Sequence, residues 1–310
     1  MTTNAIEKVA QGLPVSVQVQ SILYHNEPVA IERAVTSMAR SAELAVRAGA
    51  CSRVRVRLGD CSPVPIFSAG DIERLGNQIG SALELEYRFF DGNLGSARGH
   101  NCLAEQTDLD FVVIQNPDAV ASPRLLERMI GCFKAARTGM VEAKQLPIEH
   151  PKEYDTTTGE TLWASTACAM IPTFLLKQLG GFDADSFFLY CDDVDFSWMV
   201  RNAGYRVIFQ PAAFVFHDKR LADDGGWPTS AAERYYSAEA AMILAYKWSR
   251  KDLAESICAY FKSNGADHER KAALEYERRR DAGLLPAQLD PKHKIGYFVD
   301  HLYSKHRYAL

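Results

Sequence analysis

Apolar and polar positions alternate through Val15–Leu23, which reads as a strand introduced by Pro14 and ended by the polar turn Tyr24-His25-Asn26-Glu27-Pro28. Residues 29–48 then carry Ile31, Ala34, Val35, Met38, Ala42, Leu44 and Ala45 at helical spacing. Alternation returns at 53–58 and stops at Gly59-Asp60-Cys61-Ser62-Pro63. Further along, 71–83 predicts a helix, 84–90 a third strand, and 95–105 a helix after a glycine turn. The run 111–115 predicts a short, fully buried strand ending at Asn116-Pro117-Asp118, and 125–136 another helix. Strand and helix alternate about four times, which predicts an α/β fold with a doubly wound, mostly parallel sheet flanked by helices. Such sheets bind ligands at the carboxyl ends of their strands. The turns holding Asn26 and Glu27, Asp60, Asn93 to Gly95, and Asn116 to Asp118 are therefore the candidate binding loops.

From Gly139 the pattern changes. Residues 145–162 are polar and turn-rich, 166–171 are small and buried in character, and 173–179 read as a helix. Residues 193–203 predict a helix, and 205–210 and 213–216 two short strands. Beyond Trp227 the chain turns helical, at 231–248, 251–263 and 268–282, and closes on an aromatic, basic tail. A domain of residues 1–225 followed by a helical C-terminal extension of 226–310 is the expected organisation.

Composition excludes more than it adds. Hydrophobic residues at 47% and charged ones at 24% fit an ordinary folded chain of 310 residues. A formal charge of −4 gives no general attraction for nucleic acid, although Arg278-Arg279-Arg280 is a local basic run. Seven cysteines without zinc spacing favour free thiols, and no window reaches the ~20 apolar residues of a membrane span. A cytoplasmic location is expected, with peripheral contact at the inner leaflet left open.

Three acids in four positions, Asp192-Asp193-Val194-Asp195, open a predicted helix. Carboxylates suit a helix N-terminus, which accounts for at least one of them. Crowded like charges raise one another's pKa, as a general base requires.

Three segments together resemble the family 2 glycosyltransferases of the GT-A fold, particularly rhamnosyltransferase-like and galactofuranosyltransferase-like members. They are Asn93-Leu94-Gly95-Ser96-Ala97-Arg98-Gly99-His100-Asn101; Asn116-Pro117-Asp118; and the block from Gly180-Gly181-Phe182-Asp183 through Asp192-Asp193-Val194-Asp195 to Arg201, Gly204, Pro211 and His217. The resemblance spans about residues 14–220. It implies an inverting transfer of a sugar from a nucleotide-diphosphate sugar, dTDP-rhamnose or a UDP-sugar, to a hydroxyl of a saccharide or glycolipid in polysaccharide assembly. Asp193 matches the family's catalytic base. Asp118 and His217 match ligands of a divalent cation, Mn²⁺ or Mg²⁺, which would neutralise the departing diphosphate. Glu27, Asp60, Asn93, Gly95, Arg98 and Asn116 match donor-nucleotide contacts, with Asp60 on the base and Gly95 allowing close backbone approach to the diphosphate. Trp163 falls where the acceptor pocket is shaped, while Asp192 and Asp195 support the base, Asp195 by orienting the block or by pairing with Arg201.

Plainer readings stand beside these. Asn116 to Asp118 also makes an ordinary Asx turn, His217 a strand-end histidine bonded to backbone, Gly95 a plain left-handed turn, and Trp163 a core residue under a loop. A sugar nucleotidyltransferase would want a basic glycine loop after the first strand, and Tyr24 to Pro28 is not one. A catalytically silent scaffold would have no use for the acidic cluster. The C-terminal helices suit a homo-oligomer surface, an acceptor platform or a membrane-facing patch for a lipid-linked saccharide, with Tyr297, Phe298, Tyr303, Lys305, His306, Arg307 and Tyr308 in the tail. Plain packing with a solvated tail serves equally.

Overall fold

The computed structural model describes residues 4–150, 152–217 and 229–304; Asp218, Lys219, Trp227 and the tail from Lys305 to Tyr308 lie outside the described residues. Its elements are α1 (Ala5–Ala10), β1 (Val15–Leu23), α2 (Pro28–Arg47), β2 (Cys51–Asp60), α3 (Ala69–Ile79), β3 (Glu84–Phe89), α4 (Gly95–Ala104), β4 (Phe111–Gln115), β5 (Ala119–Ala121) and α5 (Leu125–Cys132). There follow β6 (Thr138–Leu146), β7 (Glu160–Thr161), β8 (Cys168–Pro172), α6 (Thr173–Gln178), α7 (Asp192–Asn202), β9 (Arg206–His217), α8 (Ala231–Lys247), α9 (Lys251–Asn264) and α10 (Asp267–Asp281).

Among the described residues the strands form one sheet, ordered β3-β2-β1-β4-β8-β6-β9-β5, with β7 also on β9. The first four strands pair in parallel, as their alternation with helices predicts. The other half is mixed: β8 runs antiparallel to β4 and β6, β6 and β9 pair in parallel, and β5 and β7 run antiparallel to β9. The expectation of a mostly parallel sheet therefore describes the first half better than the second.

Two elements depart from expectation for identifiable reasons. β6 was not anticipated, because Glu142 in its middle argues against a buried strand. Glu142 has no exposed surface, and the Lys152 ammonium pairs with it inside the protein. The expected pair of strands at 205–210 and 213–216 is the single strand β9. Pro211 cannot donate to a ladder, and the pairing jumps from Gln210 against Ala143 to Phe214 against Lys144, so an irregularity absorbs it.

One core layer joins α2 and α5 to one face of the sheet. A second lies on the opposite face, with Ala97, Leu175, Phe182, Phe196 and Val200 from α4, α6, α7 and the loop before α7. The third holds Phe187, Cys191, Val194 and Trp198 together with Ala238, Ile243, Trp248, Ile257 and Tyr276. The expected boundary at 225 falls outside the described residues, and on its far side α8–α10 share this third core with α7. No helix among the described residues is long and apolar enough to cross a membrane.

Candidate active site

The carboxyl ends of β1, β2, β4, β6 and β9 point to one edge of the sheet, since these strands run the same way. Asn116 and Asp118 follow β4, and His217 ends β9. The pairing of Ala119 with His217 brings them together. His217 Nε2 lies 3.5 Å from Asp118 Oδ1 and 3.4 Å from Asn116 Nδ2. Its Nδ1 faces Gln145 Oε1 at 3.1 Å, an arrangement in which Nδ1–H donates and leaves the Nε2 lone pair turned toward Asp118. One anionic oxygen and one neutral imidazole nitrogen at this separation are a donor set that Mn²⁺ or Mg²⁺ accepts when phosphate oxygens complete the shell. Among the described residues no third His, Cys, Asp or Glu joins them in a metal-holding group. The residues fit a bridging cation.

The acidic cluster is divided by environment. α7 begins at Asp192 behind Cys191, which has a left-handed backbone (φ 56°) and offers no side-chain cap. Asp192 is buried and accepts from the Ser96 side chain and from backbone N–H groups of the first turn; burial, followed by the Asp193 charge, pushes its carboxyl up to about 7. Asp193 is half-buried, and its Oδ1 accepts from Val194 N–H at 2.8 Å. Asp195 is fully buried and accepts from Lys247 Nζ at 2.8 Å and Trp248 Nε1 at 2.9 Å. Arg201, its expected partner, instead donates to the Ile295 carbonyl at 2.7 Å, because position 201 faces the C-terminal segment.

The neighbours of His217 and the first turns of α7 are fastened to the same short segment, residues 164–167. On one side Asn116 N–H donates to the Ala167 carbonyl (2.9 Å), and Gln145 Nε2 reaches Ser165 Oγ (3.4 Å). On the other, Ala164 N–H donates to Ser197 Oγ (3.0 Å), and that hydroxyl donates to the Asp193 carbonyl (2.7 Å). Gln145, Ser165 and Ser197 were not expected as site residues.

Several expected donor contacts are placed differently. Asp60 has no exposed surface, and Ser62 N–H, Ile66 N–H and the Tyr87 hydroxyl all donate to it. It anchors the loop after β2 rather than presenting a free carboxylate to a base. Gly95 has φ +70°, and a Cβ there would stand 2.4 Å from the Phe188 carbonyl oxygen. The close approach it allows here is to the loop before α7, where Ser96 N–H donates to the same carbonyl at 3.0 Å. Asn93 Oδ1 accepts from Gly95 N–H at 3.1 Å, and Arg98 pairs with Asp185 at 2.8 Å on the surface. Glu27 is exposed at the start of α2 and makes no capping hydrogen bond, so its carboxylate stays available at the sheet edge. Trp163 is 5% exposed, edge-on to Tyr303 at 5.2 Å and beneath the Lys152 ammonium at 4.1 Å. That coverage makes it a core residue and leaves little ring for a sugar.

The two glycine motifs grip each other. Asn101 donates through Nδ2 to the Phe182 carbonyl (2.7 Å) and accepts through Oδ1 from Phe182 N–H (2.9 Å). Gly181, at φ +77°, leaves room for that amide, since a Cβ would lie 2.4 Å from Asn101 Oδ1.

The chain has the GT-A glycosyltransferase fold. It superposes on a mannosyltransferase from Pyrobaculum calidifontis in complex with GDP-Man and Mn²⁺, with TM-score 0.54, 18% identity, 87% of this chain and 81% of that one. It also superposes on GalNAc-T7 with UDP, GalNAc and Mn²⁺, with TM-score 0.60, 11% identity, 87% of this chain and 55% of that one. In sequence it matches the N-acetylglucosaminyl-diphospho-decaprenol L-rhamnosyltransferase of two Mycobacterium tuberculosis strains, 35% identical over 57 residues. That stretch is 18% of this chain and 18% of the relative. No family model matches the chain.

Proposed function

We propose that this protein is an inverting, metal-dependent glycosyltransferase that moves a sugar from a nucleoside-diphosphate donor to a hydroxyl of a saccharide or glycolipid acceptor. The observation that carries this reading is that Asn116 and Gln145, both next to His217, and Ser197 of the Asp193 helix are fastened to residues 164–167. A tie between the surroundings of His217 and the first turns of α7 supports a single displacement in which a cation holds a diphosphate leaving group and a carboxylate takes the acceptor proton.

In this mechanism Asp193 takes the proton from the acceptor hydroxyl as its oxygen attacks the anomeric carbon. The neighbouring Asp192 is buried, and its protonated form keeps a second negative charge away from that proton transfer. Asp118 and His217 would hold the cation, with Asn116 alongside and Gln145 fixing the imidazole tautomer. When bound, the cation supplies Lewis-acid stabilisation of the leaving diphosphate. Attack opposite that leaving group inverts the anomeric centre.

The name of the mycobacterial relative supports a rhamnosyl donor, with UDP-sugars as the other candidates, and a lipid-linked saccharide acceptor met at a membrane surface. A thermal-shift screen of nucleoside diphosphates and nucleotide sugars, with and without Mn²⁺, tests the reading, since a ligand that binds only the folded state raises its stability. Metal-dependent stabilisation by one base, followed by sugar transfer from that donor, is expected. Absence of stabilisation by every nucleotide with metal present would sink it.

A further inference from the structure

We infer that Lys247 and Trp248, contributed by the C-terminal helices, are positioning residues of the active site that hold the Asp193-bearing helix through Asp195. This rests on the reading of Asp193 as the base. Lys247 is the last residue of α8 and only 5% exposed. Its ammonium lies 2.7 Å from Asp183 Oδ2 and 2.8 Å from Asp195 Oδ2, tying the Gly181–Asp183 turn to the first turn of α7. Trp248 Nε1 takes the other Asp195 oxygen at 2.9 Å, so both oxygens of that carboxylate are fixed from one end of one helix.

The remainder of the contact is apolar and equally specific. Trp248 meets Trp198 edge-on at 5.4 Å, and Phe298 meets the same Trp198 at 5.2 Å. Arg201 reaches the Ile295 carbonyl, and the carbonyl of Lys247 itself accepts from Leu289 N–H at 2.6 Å. The far end of α7, its first turn and the end of α8 are thus one packed unit. A buried carboxylate two positions from Asp193 can be kept there only by a fixed cation or a proton. Lys247 supplies the cation on a helix that comes after every motif shared with other glycosyltransferases. The C-terminal helices are therefore a working part of the cleft.

The test uses the full chain with Lys247→Met, Lys247→Arg and the double variant Asp195→Asn/Lys247→Met. In sugar transfer, Lys247→Met is expected to lower kcat by about 100-fold, the cost of a misplacement near 1 Å, while the donor KM stays within about twofold. Lys247→Arg restores most of the rate. Lys247→Met strands a buried charge and risks unfolding, so the double variant, which removes both charges, keeps the inference testable. It should fold and still turn over slowly. A folded double variant with wild-type kcat, or a Lys247→Met protein whose kcat is unchanged, overturns the inference. Amide exchange gives a readout free of catalysis: in the variants residues 192–202 should exchange faster while residues 111–115 do not. Unchanged exchange in 192–202 overturns the clamp. A wild-type protein that transfers no sugar overturns the proposed function instead and leaves the exchange result to decide this one.

Discussion

Gly95 and Phe188 approach so closely that a Cβ on the glycine would lie 2.4 Å from the phenylalanine carbonyl oxygen, and Gly95 holds φ at +70°. A methyl group would strike this backbone oxygen first and the Phe188 ring next, whose Cδ2 and Cε2 lie at 2.8 and 2.9 Å. Gly95→Ala is therefore expected to destabilise the protein by at least ~1–3 kcal/mol from the left-handed conformation alone, with the clash added. Urea unfolding followed by tryptophan fluorescence measures it. An unchanged midpoint would mean that α4 and the loop before α7 part without cost.

Asp193→Asn keeps the shape of the side chain and its hydrogen bond from Val194, but not its basicity. Turnover should fall by roughly 10²–10⁴-fold, the usual worth of a positioned general base. Affinity for the nucleoside diphosphate, read by thermal shift with Mn²⁺, should stay where it was. If affinity collapses with the rate, Asp193 belongs to donor binding.

Gln145 Oε1 lies 3.1 Å from His217 Nδ1. Replacing it by Leu frees the His217 ring to rotate or change tautomer, which should weaken metal affinity by about 10–100-fold. Titration of Mn²⁺ against nucleotide-induced stabilisation would show it. Asp118→Asn should go further and remove the metal-dependent part of that stabilisation. Equal Mn²⁺ response in all three proteins would take the cation away from this pair.

Asp192 gives stability an unusual slope with pH. Its ordinary value is 3.8, and in the folded protein burial and the Asp193 charge push it up to about 7. Between those values the native state keeps a proton that the unfolded chain has released. This group's contribution therefore declines as pH rises through that window, by at most about 1.4 kcal/mol per unit, and is level above it. Asp192→Asn stays neutral throughout and removes the decline. Relative to wild type, the variant should gain stability from pH 4.5 to pH 8 in urea titrations. A constant difference would show that the buried carboxyl ionises normally.

The parallel half of the fold was legible because β1, β2 and β3 alternate apolar and polar residues, β4 is a buried apolar run, and polar turns bound each of them. α1 was also marked, by Asn4 and Glu7 in a reciprocal capping box, a signal that went unused. β6 was hidden because the partner that makes Glu142 tolerable, Lys152, arrives from a loop ten residues on. Asp118 and His217 were paired through the family resemblance and their places at strand ends, and their side chains lie 3.5 Å apart. Gln145 was not expected, since nothing local distinguishes it from a surface glutamine. Lys247 ends a helix as many lysines do, and only tertiary structure shows that it faces Asp183 and Asp195.

The grip between Asn101 and Phe182, with Gly181 leaving space for it, bears on how such chains are recognised. Their bonds join α4 to the turn that leads toward α7. A descendant that lost its catalytic groups would still need all three to close the cleft wall, so they would persist under selection for folding alone. The glycine motifs therefore answer a need of the fold. The proposed chemistry is to be judged instead at positions 118, 193 and 217.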